Sequence, residues 1–168
     1  MTELTPSEKL QPCLLDRLTD DEPNRQKESR DQRVMTTRRY RQAVLRDLAW
    51  LLNTCAHIEQ DGLDEFEEVP SSVLNFGVQD ITGMTAASRS SEQMRYQLLE
   101  ALRRFEPRII PNTISIKMEV DPKLMNNRSI RFEIWGDLWS QPIPESLFIK
   151  TEMDLETGEC KLNRGMDG

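Results

Sequence analysis

Residues 98–120 read LLEALRRFEPRIIPNTISIKMEV, and the hydrophobic period changes inside this stretch. Up to Phe105 the apolar residues Leu98, Ala101, Leu102 and Phe105 fall three and four apart, which is the spacing of one helix face. After Pro111 they alternate: Ile114, Ile116, Met118 and Val120 are separated by Ser115, Lys117 and Glu119, the period of a half-buried strand. Pro107 stops the helix, because it has no N–H to donate and its ring clashes with the preceding turn. The chain therefore passes from helix to sheet within residues 105–111.

Downstream, Ile130, Phe132, Ile134 and Leu138 alternate with Arg131, Glu133 and Asp137, and the turn-forming pairs Asp121-Pro122 and Asn126-Asn127 join this strand to the one before it. A third alternation runs through Leu147, Ile149, Thr151, Met153 and Leu155. Thr157-Gly158 then turns the chain into a short last strand around Cys160, Lys161 and Leu162. Upstream, Ser90 and Gln93 have capping-box spacing, and Met94 extends the helical stripe. Residues 83–90 form a flexible connection. Pro70 opens a short helical turn over residues 71–76, ended by Gly77 in a left-handed conformation. Residues 59–68 hold six acids and no base, a self-repelling run that reads as a solvated loop.

Further back, Ser29 and Gln32 repeat the capping-box spacing, and Tyr40, Val44, Leu48, Leu51 and Leu52 mark a long helix reaching about Thr54. Its first half is locally basic: Arg33, Arg38, Arg39, Arg41 and Arg46 follow one another without an intervening acid, either as a solvated face or as a contact with a partner. Helices followed by a run of strands predict an α+β fold, with N-terminal helices packed on one face of a small antiparallel sheet built from the C-terminal strands. Residues 1–28 stand apart. They are polar, carry Pro6, Pro12 and Pro23, and hold one cluster, Leu10, Leu14, Leu15 and Leu18, on one side of a short helix. So short a helix is unstable alone, so it docks on its own domain or on a partner. The expected organisation is a flexible docking tail over residues 1–28 and a single domain over residues 29–168.

Composition narrows the function. The 168 residues carry a net charge of -7, against the basic footprint a general nucleic-acid binder needs. Apolar stretches are far shorter than the ~20 residues a bilayer-crossing helix requires. The opening MTELTPSEKLQP lacks a signal-peptide layout, so a cytoplasmic location is expected. Cys13, Cys55 and Cys160 are widely spaced and read as reduced thiols rather than as a zinc site or disulfide framework. The one histidine, His57, adjoins no nucleophile motif, and no phosphate-binding glycine signature occurs. No metal, cofactor or catalytic residue is expected. A glycosidase needs only two carboxyl groups across a cleft, but the acids cluster where water would solvate them.

The segment FEPRI (residues 105–109) is the best candidate for a site. Proline pushes its predecessor towards extended geometry, so Phe105, Pro107 and Ile109 should anchor one face while Glu106 and Arg108 are presented together on the other. A pair inserted into a partner and desolvated there is strongly sensitive to loss of either member. The last strand is a second candidate. It is too short to cover the preceding one, and an exposed edge can accept an added strand.

The sequence resembles the baseplate wedge and sheath-initiator family of contractile phage tails, long carried under a lysozyme-like label, and most closely its type VI secretion branch, the TssE proteins. The resemblance rests on Glu106-Pro107-Arg108, on Leu14-Leu15-Asp16-Arg17-Leu18, on Ser29-Arg30-Asp31, on Ser72-Val73-Leu74-Asn75-Phe76-Gly77 and on Asp154-Leu155-Glu156-Thr157-Gly158, in that setting of helix and sheet. It implies a non-enzymatic part of a cytoplasmic baseplate docked on an inner-membrane complex. There it would sit in a wedge with TssF and TssG, near TssK and the VgrG spike, and template the first ring of the TssB/TssC sheath. The family's signature tripeptide carries over onto Glu106, Pro107 and Arg108; the leucines Leu14, Leu15 and Leu18 and the edge residues Cys160, Lys161 and Leu162 are partner-binding candidates from their own pattern. The alternative is a peptidoglycan-degrading glycosidase serving the same machine.

Overall fold

The computed structural model describes residues 10, 12–19, 23–24, 35–56, 66–80, 91–119, 129–140 and 143–164. Three α-helices, α1 (Leu14–Leu18), α2 (Thr37–Leu52) and α3 (Ser91–Phe105), precede four strands, β1 (Ser115–Glu119), β2 (Ser129–Leu138), β3 (Glu145–Asp154) and β4 (Cys160–Arg164). The strands form one antiparallel sheet in the order β1-β2-β3-β4. This is the expected α+β architecture.

Alternation does its work in register. On one face of the sheet Ile130 stands opposite Met153, Phe132 opposite Thr151, and Ile134 opposite both Ile116 and Ile149, all of them buried. Tyr40, Val44, Leu48 and Leu51 of α2 and Leu98 and Leu102 of α3 complete that core. The other face carries Arg131, Glu133, Lys150 and Glu152, with ion pairs between Lys150 and Glu133 (3.1 Å) and between Arg131 and Glu152 (3.7 Å), and Trp135 stacked on Phe148 directly opposite.

Helix α2 begins later than its sequence signal. Its N-cap is Thr36, whose hydroxyl accepts the Arg39 N–H at 3.3 Å, and Ser29 and Gln32 lie outside the described residues. The other capping-box residue, Ser90, lies outside them too, as do His57, residues 57–65, 81–90 and 120–128, and most of the tail. The short helix expected at residues 71–76 is a pair of 3₁₀ turns, Val69–Ser71 and Val73–Asn75. Buried Asn75 fastens them, donating from Nδ2 to the Pro70 carbonyl at 3.3 Å.

Gly77 does more than end a turn. Its φ is +140°, and a Cβ there would lie 2.4 Å from the Thr54 carbonyl oxygen and 2.7 Å from the Ala56 nitrogen. The close approach lets Val78 bridge to Cys55, with Val78 N–H bonded to Thr54 O and Ala56 N–H to Val78 O, both at 2.8 Å. Both the backbone angle and the neighbouring backbone atoms exclude a side chain. Gly77→Ala is therefore expected to destabilise the domain by about 3 kcal/mol in denaturant unfolding. Gly136→Ala, whose Cβ would crowd the Ile109 methyl Cγ2 at 2.8 Å but stand 3.8 Å or more from its next neighbours, at an ordinary backbone angle, should cost less. Equal loss at both positions would contradict this assignment.

Candidate partner-binding site

The junction between α3 and β1 is a turn, not an extended segment. Glu106 N–H still bonds back to Leu102 O (2.9 Å), and Ile109 N–H bonds to Glu106 O (3.2 Å), placing Pro107 at the second position of a β-turn, where its fixed φ fits. The chain then runs beside the end of β2, with Ile110 N–H on Asp137 O and Trp139 N–H on Arg108 O, each at 2.8 Å. This corrects the alternation expected of residues 105–109. Glu106 faces inward and is 2% exposed, Pro107 is exposed, and Arg108 folds back over the turn. Ile109 is buried, as expected.

Glu106 is the one buried carboxylate among the described residues, and it is fully engaged. Arg108 grips it as a fork, Nε to Oε1 and Nη2 to Oε2, both at 2.6 Å. Arg108 Nη2 also reaches Asp47 Oδ2 on α2 at 2.7 Å. From Asp47 the chain of charges continues: Arg46 Nε donates to Asp47 Oδ1 (2.8 Å), and Arg46 Nη1 donates to Asp16 Oδ1 on α1 (2.5 Å). Cys13 Sγ caps the series by donating to Asp16 Oδ2 at 2.9 Å. Acids and bases thus alternate from α1 through α2 to the junction. Burial works against the Arg108 charge, but Glu106 and Asp47 outweigh it and push the guanidinium pKa up. Desolvation likewise pushes Asp16 up, yet the hydrogen bonds from Arg46 and Cys13 prevail and hold its carboxyl below the usual value.

Beside this ladder lies a groove of about 470 Å³, lined among others by Leu10, Cys13, Tyr40, Asp47, Pro107 and Trp139. Sequence reasoning passed over Asp47 and Trp139, and named Arg46 only within the basic run and Asp16 only within the motif of residues 14–18. Asp47 carried a signal, being the acid that ends the run of arginines, and EPRI itself has the order of a proline-containing turn. Within the run, Arg46 is committed to the ladder and Arg41 to Glu145 at 3.5 Å.

The leucine cluster divides. Leu10 is buried in the core, with its carbonyl accepting the Met35 N–H at 3.3 Å, so this part of the tail docks on its own domain. Leu14, Leu15 and Leu18 point outward at 72%, 44% and 74% exposure. The four do not share one buried side.

The last strand is short, as expected, but its start is not open. β4 pairs with β3 only over residues 149–153, leaving residues 145–148 of β3 uncovered by it. Asn53, the C-cap of α2, clamps the start of that edge: its Oδ1 accepts the Cys160 N–H and its Nδ2 donates to the Cys160 carbonyl, both at 2.9 Å. The Cys160 side chain is buried, which pushes its thiol pKa up to about 12. Because backbone groups alternate in direction along a strand, Cys160 and Leu162 face outward and Lys161 faces β3. Of the three edge residues, only Leu162 has outward-facing backbone with no partner among the described residues.

Removing Arg108 would strand Glu106 in the core. Arg108→Ala is expected to lower stability by about 3 kcal/mol in denaturant unfolding, as breaking a buried pair typically does. Adding Glu106→Gln to that variant should restore part of the loss, since no buried charge then remains. If Arg108→Ala unfolds together with the parent protein, the pair does not hold the junction.

Among the described residues no three metal-ligating side chains come together, and no helix is long and apolar enough to cross a membrane. No curated protein and no solved structure matches the chain. A protein family, described as baseplate wedge protein gp25, matches residues 38–143. That span contains Asp47 and the turn of Glu106, Pro107 and Arg108, and covers well over half of the 168 residues. The chain belongs to the gp25 family of baseplate wedge proteins, structural parts of a contractile baseplate.

Proposed function

We propose that this baseplate protein serves a type VI secretion system, joins a wedge with TssF and TssG, and nucleates polymerisation of the contractile TssB/TssC sheath near TssK and VgrG. The type VI assignment is supported by the sequence resemblance. The observation that carries the nucleating role is the edge of β4: clamped by Asn53 at Cys160 and, among the described residues, open at Leu162, it offers a strand of defined register to an added one. Strand addition would satisfy those backbone groups and pass orientation from baseplate to polymer.

Two further surfaces suit the wedge itself. The turn of Glu106, Pro107 and Arg108 presents an exposed proline and a half-buried guanidinium beside the groove, on a backbone fixed at both ends by hydrogen bonds. Such rigidity lowers the ordering cost of association. Leu14, Leu15 and Leu18 supply exposed apolar area close by, joined to the ladder through Asp16. In this reading the protein works in the cytoplasm, at a baseplate docked on the inner-membrane complex, and performs no chemistry.

A tagged copy should recover TssF and TssG from cells that make all three. Leu162→Pro should remove an outward-facing donor that an edge strand can spare, leaving wedge recovery intact while blocking sheath elongation seen by fluorescence microscopy. Sheaths that elongate at normal frequency with Leu162→Pro would refute the template role of β4. Absence of TssF and TssG from the recovered material would refute the wedge assignment.

A further inference from the structure

We propose that Leu10 and residues 12–19 form a displaceable latch on the partner-binding groove. In the free protein this segment lies along the groove's rim, and in the assembled baseplate it gives way to a partner segment that brings an apolar side chain and a carboxylate of its own. The inference rests on the reading of Glu106 and Arg108 as a partner site.

Three observations carry it. First, the attachment is narrow: α1 has no buried residue, and among the described residues the segment is held by one core side chain, Leu10, by a backbone bond to Met35, and by Arg46, which reaches Asp16 and, at 3.8 Å, the Cys13 sulfur. Ordering a stretch of chain for so few contacts leaves the docked state only weakly favoured. Second, Leu10 and Cys13 line the same groove as Glu106 and Arg108. A partner reaching that groove meets the latch. Third, the ladder tells which chemistry can replace it. Arg46 is shared between Asp16 and Asp47, and Asp47 is shared with Arg108, so withdrawing Asp16 leaves Arg46 leaning on a carboxylate that the junction also needs. A partner carboxylate at Arg46 restores the alternation, and an apolar side chain in Leu10's place refills the core. The exposed leucines on α1 fit the same logic, since a segment that moves between two settings gains little from burying them in one.

Amide hydrogen exchange read residue by residue on the full chain tests this, because the Met35 N–H bonds directly to the Leu10 carbonyl. A latch that opens on its own makes Met35 exchange about 100-fold or more faster than the core amides of Leu48 and Leu51. Leu10→Ala should then speed Met35 exchange about tenfold without moving Leu48 or Leu51, and should raise recovery of TssF and TssG. If Met35 exchanges together with Leu48 and Leu51, the segment is an integral part of the core and the latch is overturned. Faster Met35 exchange with reduced wedge recovery also overturns it, since the docked setting of the segment, and not its release, would then favour binding. Conserved wedge recovery in the Glu106→Gln/Arg108→Ala double variant marks a different failure, that of the partner site itself, which leaves the exchange result standing as a test of the latch alone.

Discussion

A carboxylate with 2% of its surface exposed is tolerable in a core only if a cation and hydrogen bonds replace the water it lost, and the geometry of this domain is organised around meeting that demand at Glu106. Arg108, two residues on, supplies the cation, which requires the chain to turn rather than extend. The turn in turn brings residues 108–110 alongside the end of β2. Asp47 then fixes the far side of the guanidinium and thereby ties α2 to the junction across 61 positions of sequence. A surface pair would give about 0–1 kcal/mol, and a partly buried one is worth more for the orientation it specifies than for its net energy. What the pair secures is the angle at which helices meet sheet.

The same residues can hold the fold and serve a partner without contradiction. A guanidinium has five donors, and here Arg108 directs Nε and Nη2 to Glu106 and Asp47. Its side chain keeps 21% of its surface exposed, next to Pro107 and the groove. A substitution there would weaken folding and, on the proposed reading, assembly together. The two effects separate only when stability and wedge recovery are measured on the same variant.

The architecture was largely legible because each level of sequence signal pointed the same way. Period-two alternation at Ile114, Ile116, Ile130, Phe132, Ile134, Leu147 and Ile149 placed the inward face of the sheet, and all of these residues are buried. The helical stripe from Leu98 to Phe105 fixed α3. Orientation at the junction was not legible in the same way. Periodicity assumes a regular element, whereas residues 106–109 are a turn whose inward side is set by a partner on α2. The Asn53 clamp was hidden for a related reason: 107 positions separate it from Cys160, and an asparagine at a helix end is an ordinary local cap with no sign of a distant strand. The tail misled through its spacing, since Leu10 lies outside the five-residue helix and packs independently of the three leucines inside it.

Helix α2 relates the two proposed surfaces to each other. Near its start Tyr40 lines the groove and Arg41 pairs with Glu145 at the beginning of β3; in its middle Asp47 holds Arg108; just past its end Asn53 holds Cys160 at the beginning of β4. From Arg41 to Asn53 the helix rises about 18 Å, a distance that cannot stretch, because each backbone bond along it is already made. Its inward residues Val44, Leu48 and Leu51 are among the most deeply buried in the protein, so the helix cannot shift against the sheet without opening the core. A partner seated at Arg108 and a strand added at Leu162 would therefore be held at a fixed distance and angle by one rigid rod. For a protein proposed to convert attachment at a baseplate into the first orientation of a polymer, that rigidity is the property the geometry supplies.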